Sequence, residues 1–182
     1  MSFHIRPATL SEVPALQALI AASARQLQTD DYTAEQIEAA IRTVYGVDSV
    51  LIEDGTYFVA ESDSNPGEFA GYGGWSKHKT LYGADHYTSR DDELLNPATD
   101  AAKVRAFFIN PAYARRGVGT AILDACESAA RDAGFRRCEM GATLTGVKLF
   151  AARGYREIER ISIPVGGDTT LGVVRMEKPL PT

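Results

Sequence analysis

Apolar positions along this chain switch between a strand-like and a helix-like period, and each switch marks an element. Phe3 to Pro7 predicts a short first strand. Thr9, followed by Glu12, carries a capping-box signal, and Leu16, Leu19, Ile20 and Ala24 give the helix behind it an apolar face. Thr33 with Gln36 repeats the signal for a second helix bearing Ile37, Ala40, Ile41 and Val44. Thr56 to Glu61 and Glu68 to Trp75 predict two further strands around a turn at Ser62 to Gly67. Gly71, Gly73 and Gly74 in the second of these suggest a bulge or close approach by a ligand.

Residues 77–102 show no sustained period, end in Asn96-Pro97, and are too long for a simple hairpin connection, so a functional or mobile loop is expected there. A strand at Val104–Ile109, a helix at Val118–Ala133 stopped by Gly134, and a strand at Arg136–Gly141 follow. A helix from about Thr145 to Arg153 ends at Gly154, and strands at Tyr155–Ile163 and Leu171–Met176 close the chain. This order predicts an α/β protein with a mixed sheet, its fourth and fifth strands parallel and joined by a right-handed crossover. A single domain over residues 1–182 is expected.

The most chemically informative stretch is Val104 to Thr120, an apolar strand that passes through a proline turn into a glycine turn opening a helix. A helix start exposes backbone N–H groups with no intrahelical partner and the positive end of the helix dipole. Gly117 and Gly119 remove side chains that would keep an anion from those amides, so a phosphate group is the expected guest. Two other phosphate-binding patterns fail here. Gly119 is followed by Thr120 and Ala121 with no Lys, and the third glycine of a dinucleotide fingerprint falls on Ile122.

Composition narrows the class further. Hydrophobic content of 45% and charged content of 24% are ordinary for a globular protein, and no run of about 18 apolar residues predicts a transmembrane helix. The opening Met-Ser-Phe-His-Ile-Arg-Pro has no signal-peptide stretch, and Cys126 and Cys138 read as buried small hydrophobes, so a cytoplasmic location is expected. The net charge of −5 argues against nucleic-acid partners. Locally, Lys103, Arg105, Arg115 and Arg116 place four positive charges between residues 103 and 116 with no acid among them. They fit an anionic ligand; for Lys103 and Arg105 the alternative is solvation of a strand end. Three scattered His and two separated Cys give no metal-site spacing, and no metal is expected.

Asn110-Pro-Ala-Tyr-Ala-Arg-Arg-Gly-Val-Gly-Thr120 resembles the acetyl-coenzyme A motif of the GNAT superfamily of N-acetyltransferases, with Ala114 where that motif has Gln or Arg. A later block, Thr143 to Tyr155, is similar to the family's Asn-x-x-Ala-x-x-Leu-Tyr-x-x-x-Gly-Phe. The resemblance covers most of the chain. It implies a GNAT-like fold with a mixed sheet of about six to seven strands, helices on both faces, and the pantetheine arm of the cofactor in a gap between the fourth and fifth strands. It further implies that Phe107, Phe108 and Ile109 present backbone groups to that arm, with an oxyanion-stabilising N–H near Ile109. Arg115, Arg116, Gly117, Val118, Gly119 and Thr120 are expected to cradle the pyrophosphate, with Phe150 packing on the cofactor.

The resemblance also exposes gaps. Phe150 stands where the family usually has a Tyr that protonates the departing thiolate, and Thr143 stands for Asn. Tyr155, Tyr72 and Tyr82 are the alternatives for the acid. Glu139 is the first candidate general base, against a reading in which it pairs with Arg136 or Arg137; His78 and His86 are second candidates, against solvated loop histidines. Segment 77–102 is expected to cover the acceptor site as a loop insertion, with Asp85, Asp91, Asp92, Glu93 and Asp100 attracting a cationic amine or simply facing solvent. Trp75 and Tyr82 are candidate walls of that site, Trp75 equally a core residue. The expected activity is acetyl transfer from acetyl-coenzyme A to a primary amine of a small molecule by direct attack. The alternatives are an acyl-coenzyme A-binding module with little catalysis and an enzyme acting on a protein amine. The last strands also offer an edge for a homodimer.

Overall fold

A computed structural model describes residues 2–182. Strand β1 (Phe3–Pro7) leads through a 3-10 turn, Leu10–Glu12, into helix α1 (Val13–Leu27), followed by α2 (Ala34–Thr43) and α3 (Ser49–Glu53). Strands β2 (Tyr57–Ser62), β3 (Phe69–Ser76) and β4 (Ala102–Ile109) precede α4 (Val118–Asp132), β5 (Arg137–Thr143), α5 (Val147–Ala152), β6 (Arg156–Gly166) and β7 (Thr169–Pro179). The predicted caps form. Thr33 Oγ1 accepts from the Gln36 N–H at 3.1 Å while Gln36 Oε1 accepts from the Thr33 N–H at 2.9 Å. At Thr9 the capping box opens a 3-10 turn first, and the α-helix begins only beside Pro14, whose missing N–H is harmless in a first turn.

The seven strands form one sheet in the order β1-β2-β3-β4-β5-β7-β6, antiparallel except for β4 and β5. Strand alternation divides two cores. Leu171 and Val173 on β7 join Tyr57, Tyr72 and Phe108 beneath α1, α2 and α3, whereas Val174 and Met176 join Trp75, Ile122 and Cys126 beneath α4. Helices therefore cover both faces. Cys126 and Cys138 are buried and unbridged. Strand β6 runs past the expected stop at Ile163 because it is an outer strand paired only with β7, where Pro164 breaks no inner ladder. Among the described residues, no helix is long and apolar enough to cross a membrane.

Two departures from regularity shape the molecule. Strands β4 and β5 share only two register pairs, Ala102 with Cys138 and Lys103 with Glu139, and part beyond them. On β4's other side, Tyr72 faces Phe108 and Gly74 faces Arg105, so Gly73 alone opposes both Ala106 and Phe107. That is a β-bulge, with Ala106 at φ 54°. A Cβ on Gly73 would lie 2.5 Å from the Phe107 ring, which explains the glycine. The glycines of β3 do announce a bulge: against β4 the extra residue belongs to the neighbouring strand, and against β2 it is Ala70 of β3 itself, beside Gly71.

Segment 77–101 is more ordered than its sequence suggests. Its two ends pair as a hairpin, with Leu95 N–H on Lys77 O at 2.8 Å, Lys79 N–H on Glu93 O at 2.9 Å and Thr80 N–H on Asp91 O at 2.9 Å. Its tip is tied to the body by Asp48, whose carboxylate is 1% exposed and accepts from Arg105 at 2.9 Å and from Arg90 at 3.2 Å. Arg105 also donates to Thr80 O at 3.0 Å and to Gly83 O. Asp48 further caps α3 through the Val50 N–H at 3.2 Å. A buried pair of this kind is strongly destabilising to break, because the surviving charge is stranded.

Candidate active site

Where β4 and β5 part, a cavity of about 230 Å³ opens between Val104–Ile109 and Met140–Thr143. Phe107 and Phe150 meet on its wall, edge to face with centroids 5.7 Å apart. The bulge leaves a peptide group of residues 106–107 out of the ladder to β3, at the cavity wall. Such a group can donate to an oxygen that gains negative charge.

The glycine turn follows directly from β4. Asn110 fixes it, its Oδ1 accepting from the Ala112 N–H at 3.0 Å and its Nδ2 donating to Phe69 O at 2.9 Å. Arg115 and Gly117 adopt left-handed φ of 61° and 84°, and α4 starts at Val118 with its first N–H groups free of intrahelical acceptors. A Cβ on Gly117 would meet nothing within 4 Å, so glycine is used for its backbone angle and leaves open space above the amides. Gly119 has a different reason. Its Cβ would lie 2.7 Å from Leu149 Cδ2, so the missing side chain lets α5 pack on α4. Arg116 lies over the Tyr113 ring at 5.8 Å.

At the far end the cavity passes under the hairpin tip, lined by Leu81, Tyr82 and Gly83, and meets Ser23, Leu27 and Gln28 of α1 and its C-cap, Val44, Tyr45 and Gly46 after α2, and Ile163, Leu171 and Val173 of the last strands. The Tyr45 hydroxyl donates to Gln28 Oε1 at 2.9 Å, and burial pushes its titration upward. Burial, with help from neighbouring Tyr87, pushes the Tyr82 hydroxyl up to about 12. Both phenols are therefore protonated donors at neutral pH.

Of the residues expected at the site, Phe107, Phe108, Ile109, Phe150 and Tyr82 line the cavity, whereas 115–120 form the turn and helix start that follow β4 and lie outside its lining. The others fall elsewhere. Glu139 lies at the fork of β4 and β5 and outside the cavity lining, with Oε1 on Lys103 and Oε2 on Arg175 at 3.1 Å. Both oxygens are engaged by cations, and neither partner is the Arg136 or Arg137 that sequence suggested. Trp75 is 4% exposed in the core beneath α4, edge-on to Phe135 at 5.8 Å. Because β3 alternates, the residue reaching towards the cavity side is Tyr72, and its hydroxyl is already committed to Leu16 O. Tyr155 sits behind Phe150, its ring 5.9 Å away, and does not line the cavity.

His78 is held by Asp54 Oδ2 at 2.9 Å and Asp92 O at 2.8 Å, and His86 is exposed; neither lines the cavity. The proposed basic patch is split, since Lys103 pairs with Glu139 and Arg105 with Asp48, which leaves Arg115 and Arg116 at the turn. The acids of the hairpin are likewise engaged. Asp85 accepts from Ser49, Asp91 from the Glu93 N–H, Asp92 from Arg90, Glu93 from Lys79, and Asp100 from the Asn96 N–H. None of them lines the cavity, so they do not serve as a lure for a cation inside it. Sequence reasoning missed Tyr45 and Gln28, which look like the ends of ordinary helices. Among the described residues no group of His, Cys, Asp or Glu is placed to hold a metal.

The family profile described as acetyltransferase (GNAT) family matches residues 21–155. A search of curated proteins returns no match. Among solved structures, a GCN5-related N-acetyltransferase from Rhodopseudomonas palustris superposes with a TM-score of 0.73 at 24% identity, covering 99% of this chain and 97% of that one. An N-acetyltransferase from Thermoplasma acidophilum in complex with coenzyme A gives 0.65 at 16% identity, covering 98% and 99%. A Mycobacterium tuberculosis protein in complex with CoA gives 0.61 at 21% identity, again covering 98% and 99%.

Proposed function

Starting from the premise that this chain belongs to the acetyltransferase (GNAT) family, we propose that it transfers acetyl from acetyl-coenzyme A to the primary amine of a small molecule by direct attack. The observation that carries the reading is one run of chain, in which the bulged strand β4 forms the wall of the cavity and leads directly into the open glycine turn at the start of α4. Acetyl-coenzyme A supplies an activated acetyl thioester and a diphosphate handle.

The chain fits such a donor. Gly117 leaves the amides of Val118, Gly119 and Thr120 accessible to phosphate oxygens, and Arg115 and Arg116 add positive charge there. The parted edges of β4 and β5 offer main-chain groups along the arm, and the peptide freed by the bulge donates to the acyl oxygen as charge builds. Phe107 and Phe150 exclude water beside it. Phe150 cannot protonate the departing sulfur; a positioned acid is typically worth about 10²–10⁴-fold where the leaving group needs one. A thiol needs it least, with a reference value near 8.5 for cysteine. The limited volume of the cavity, about 230 Å³, and its roof of hairpin residues Leu81, Tyr82 and Gly83 favour a small acceptor.

The test is thiol release from acetyl-coenzyme A with a panel of small primary amines, with the acetylated product identified by mass. Amine-dependent release supports the reading. Tight binding of acetyl-coenzyme A without transfer to any amine would instead favour a binding module.

A further inference from the structure

The chamber's chemistry identifies the kind of amine, an inference that rests on the acetyl-transfer reading above. Among the described residues the cavity lining contains no Asp, Glu, His or Lys. Its one charged residue is Arg105, and that guanidinium is already held by Asp48 at 2.9 Å, Thr80 O at 3.0 Å and Gly83 O. The acceptor end is walled by Leu27, Val44, Leu81, Ile163, Leu171 and Val173, and its polar groups are neutral ones, Ser23, Gln28 and Tyr82, the Tyr45 hydroxyl being committed to Gln28.

An ammonium ion moved into such a chamber loses its water and gains no counter-charge. An aliphatic amine is almost wholly ammonium at neutral pH, lysine titrating near about 10.4 in water. It would need a base to make it a nucleophile, and the lining supplies none. An amine on an aromatic ring differs on both counts. Its lone pair is shared with the ring, so it is neutral near pH 7 and attacks without prior deprotonation. The ring itself suits apolar and aromatic walls. A dry cavity of about 150 Å³ holds a benzene molecule. About 230 Å³, shared with the acyl arm, leaves room for a single ring.

We infer that the acceptor is a weakly basic primary amine carried on one planar apolar ring. Its nitrogen forms the bond to the acetyl carbon, the carbon–sulfur bond breaks, and the proton shed by nitrogen ends on the sulfur, giving an amide and a free thiol.

Thiol release with acetyl-coenzyme A is measured for 4-methylaniline, benzylamine and spermidine, on the wild type and on Leu81→Glu, which places a carboxylate at the half-buried chamber wall. The expected wild-type kcat/KM at pH 7 favours 4-methylaniline over benzylamine by ~10-fold or more, because only the small neutral fraction of benzylamine can react. The titratable and charged groups around the amine are Tyr45, Tyr82 and Arg105, backed by Tyr87, Asp48 and Arg90, by Asp31 bonded to Thr145, and by the His86 ring, which packs behind Gly46 and outside the lining. With both phenols protonated and the ions paired, the 4-methylaniline rate is expected to stay level over the neutral range while the benzylamine rate climbs with pH. Leu81→Glu is expected to narrow or reverse the preference. Faster turnover of benzylamine or spermidine at pH 7 by the wild type overturns the inference, as does binding of acetyl-coenzyme A with no transfer to 4-methylaniline. Failure to bind acetyl-coenzyme A at all removes the acetyl-transfer reading itself, and this inference with it.

Discussion

One region of the molecule is a single stretch of chain, residues 104–120, which runs from the cavity wall to the glycine turn and is shaped by a bulge, left-handed residues at Ala106, Arg115 and Gly117, and the first amides of α4. The other, the far end of the cavity, is assembled from α1, the chain after α2, the hairpin tip and the two last strands, and what counts there is side chains. Recognition through main-chain groups would survive substitution of individual residues, which accommodates Ala114 where the resemblance expects another type; at Phe150 it is the acidity of a thiol that makes the missing Tyr hydroxyl tolerable. Side-chain walls have no such protection, so that end can diverge to suit a particular acceptor.

The largest expected effect bears on what holds the second end together. Asp48→Asn strands Arg105, 2% exposed, and loosens Arg90, both of which anchor the hairpin tip. A loss of about 3–5 kcal/mol is expected from breaking a buried pair, read from urea unfolding. A loss below about 1 kcal/mol would show that the tip is held by its backbone ladder instead.

The first end is probed next, at the bulge. Gly73→Val drives a side chain into Phe107 and is expected to lose about 1–3 kcal/mol by overpacking and to lower kcat by displacing the 106–107 peptide. Unchanged kcat would separate the bulge from catalysis.

These contrasts also explain how much could be read beforehand. The turn at Asn110–Thr120 was legible because its determinants are neighbours in the chain, and so were the caps at Thr33 and the parallel pair around α4. Glu139, Trp75, Lys103 and Arg105 were not, because each is decided by a partner or a face that sequence distance hides. Asp48 and Arg105 lie 57 residues apart, and Glu139 meets Lys103 only through the register of the fork. Trp75 and Tyr72 fall on opposite faces of β3 by simple alternation, and which of the two faces meets the cavity is set by elements distant in sequence.

A smaller effect sharpens the roles of two glycines in one motif. Gly119→Ala crowds the flexible end of Leu149 and makes an ordinary contact with Ile109 Cδ1, so a change within about 1 kcal/mol and an unaltered affinity for acetyl-coenzyme A are expected. A large loss of affinity would return Gly119 to the ligand.

The smallest effect is alkaline. Tyr32 and Tyr82 are both raised from 10.0 to about 12 by burial, so the folded chain keeps protons that the unfolded chain releases. Stability is therefore expected to be constant below pH 10 and to fall as pH rises from 10 towards 12. Tyr82→Phe should shallow that fall in urea midpoints measured across the range, and an unchanged slope would place Tyr82 in water.

The division of labour between the two ends is tested most directly by calorimetric titration of acetyl-coenzyme A into three proteins, the wild type, Gly117→Glu and Leu81→Glu. The account predicts binding by the wild type, a loss of at least ~10-fold in affinity for Gly117→Glu, where a carboxylate and a strained φ of 84° invade the turn, and little change for Leu81→Glu. Equal affinity in Gly117→Glu and the wild type, or an equal loss in both variants, would contradict it.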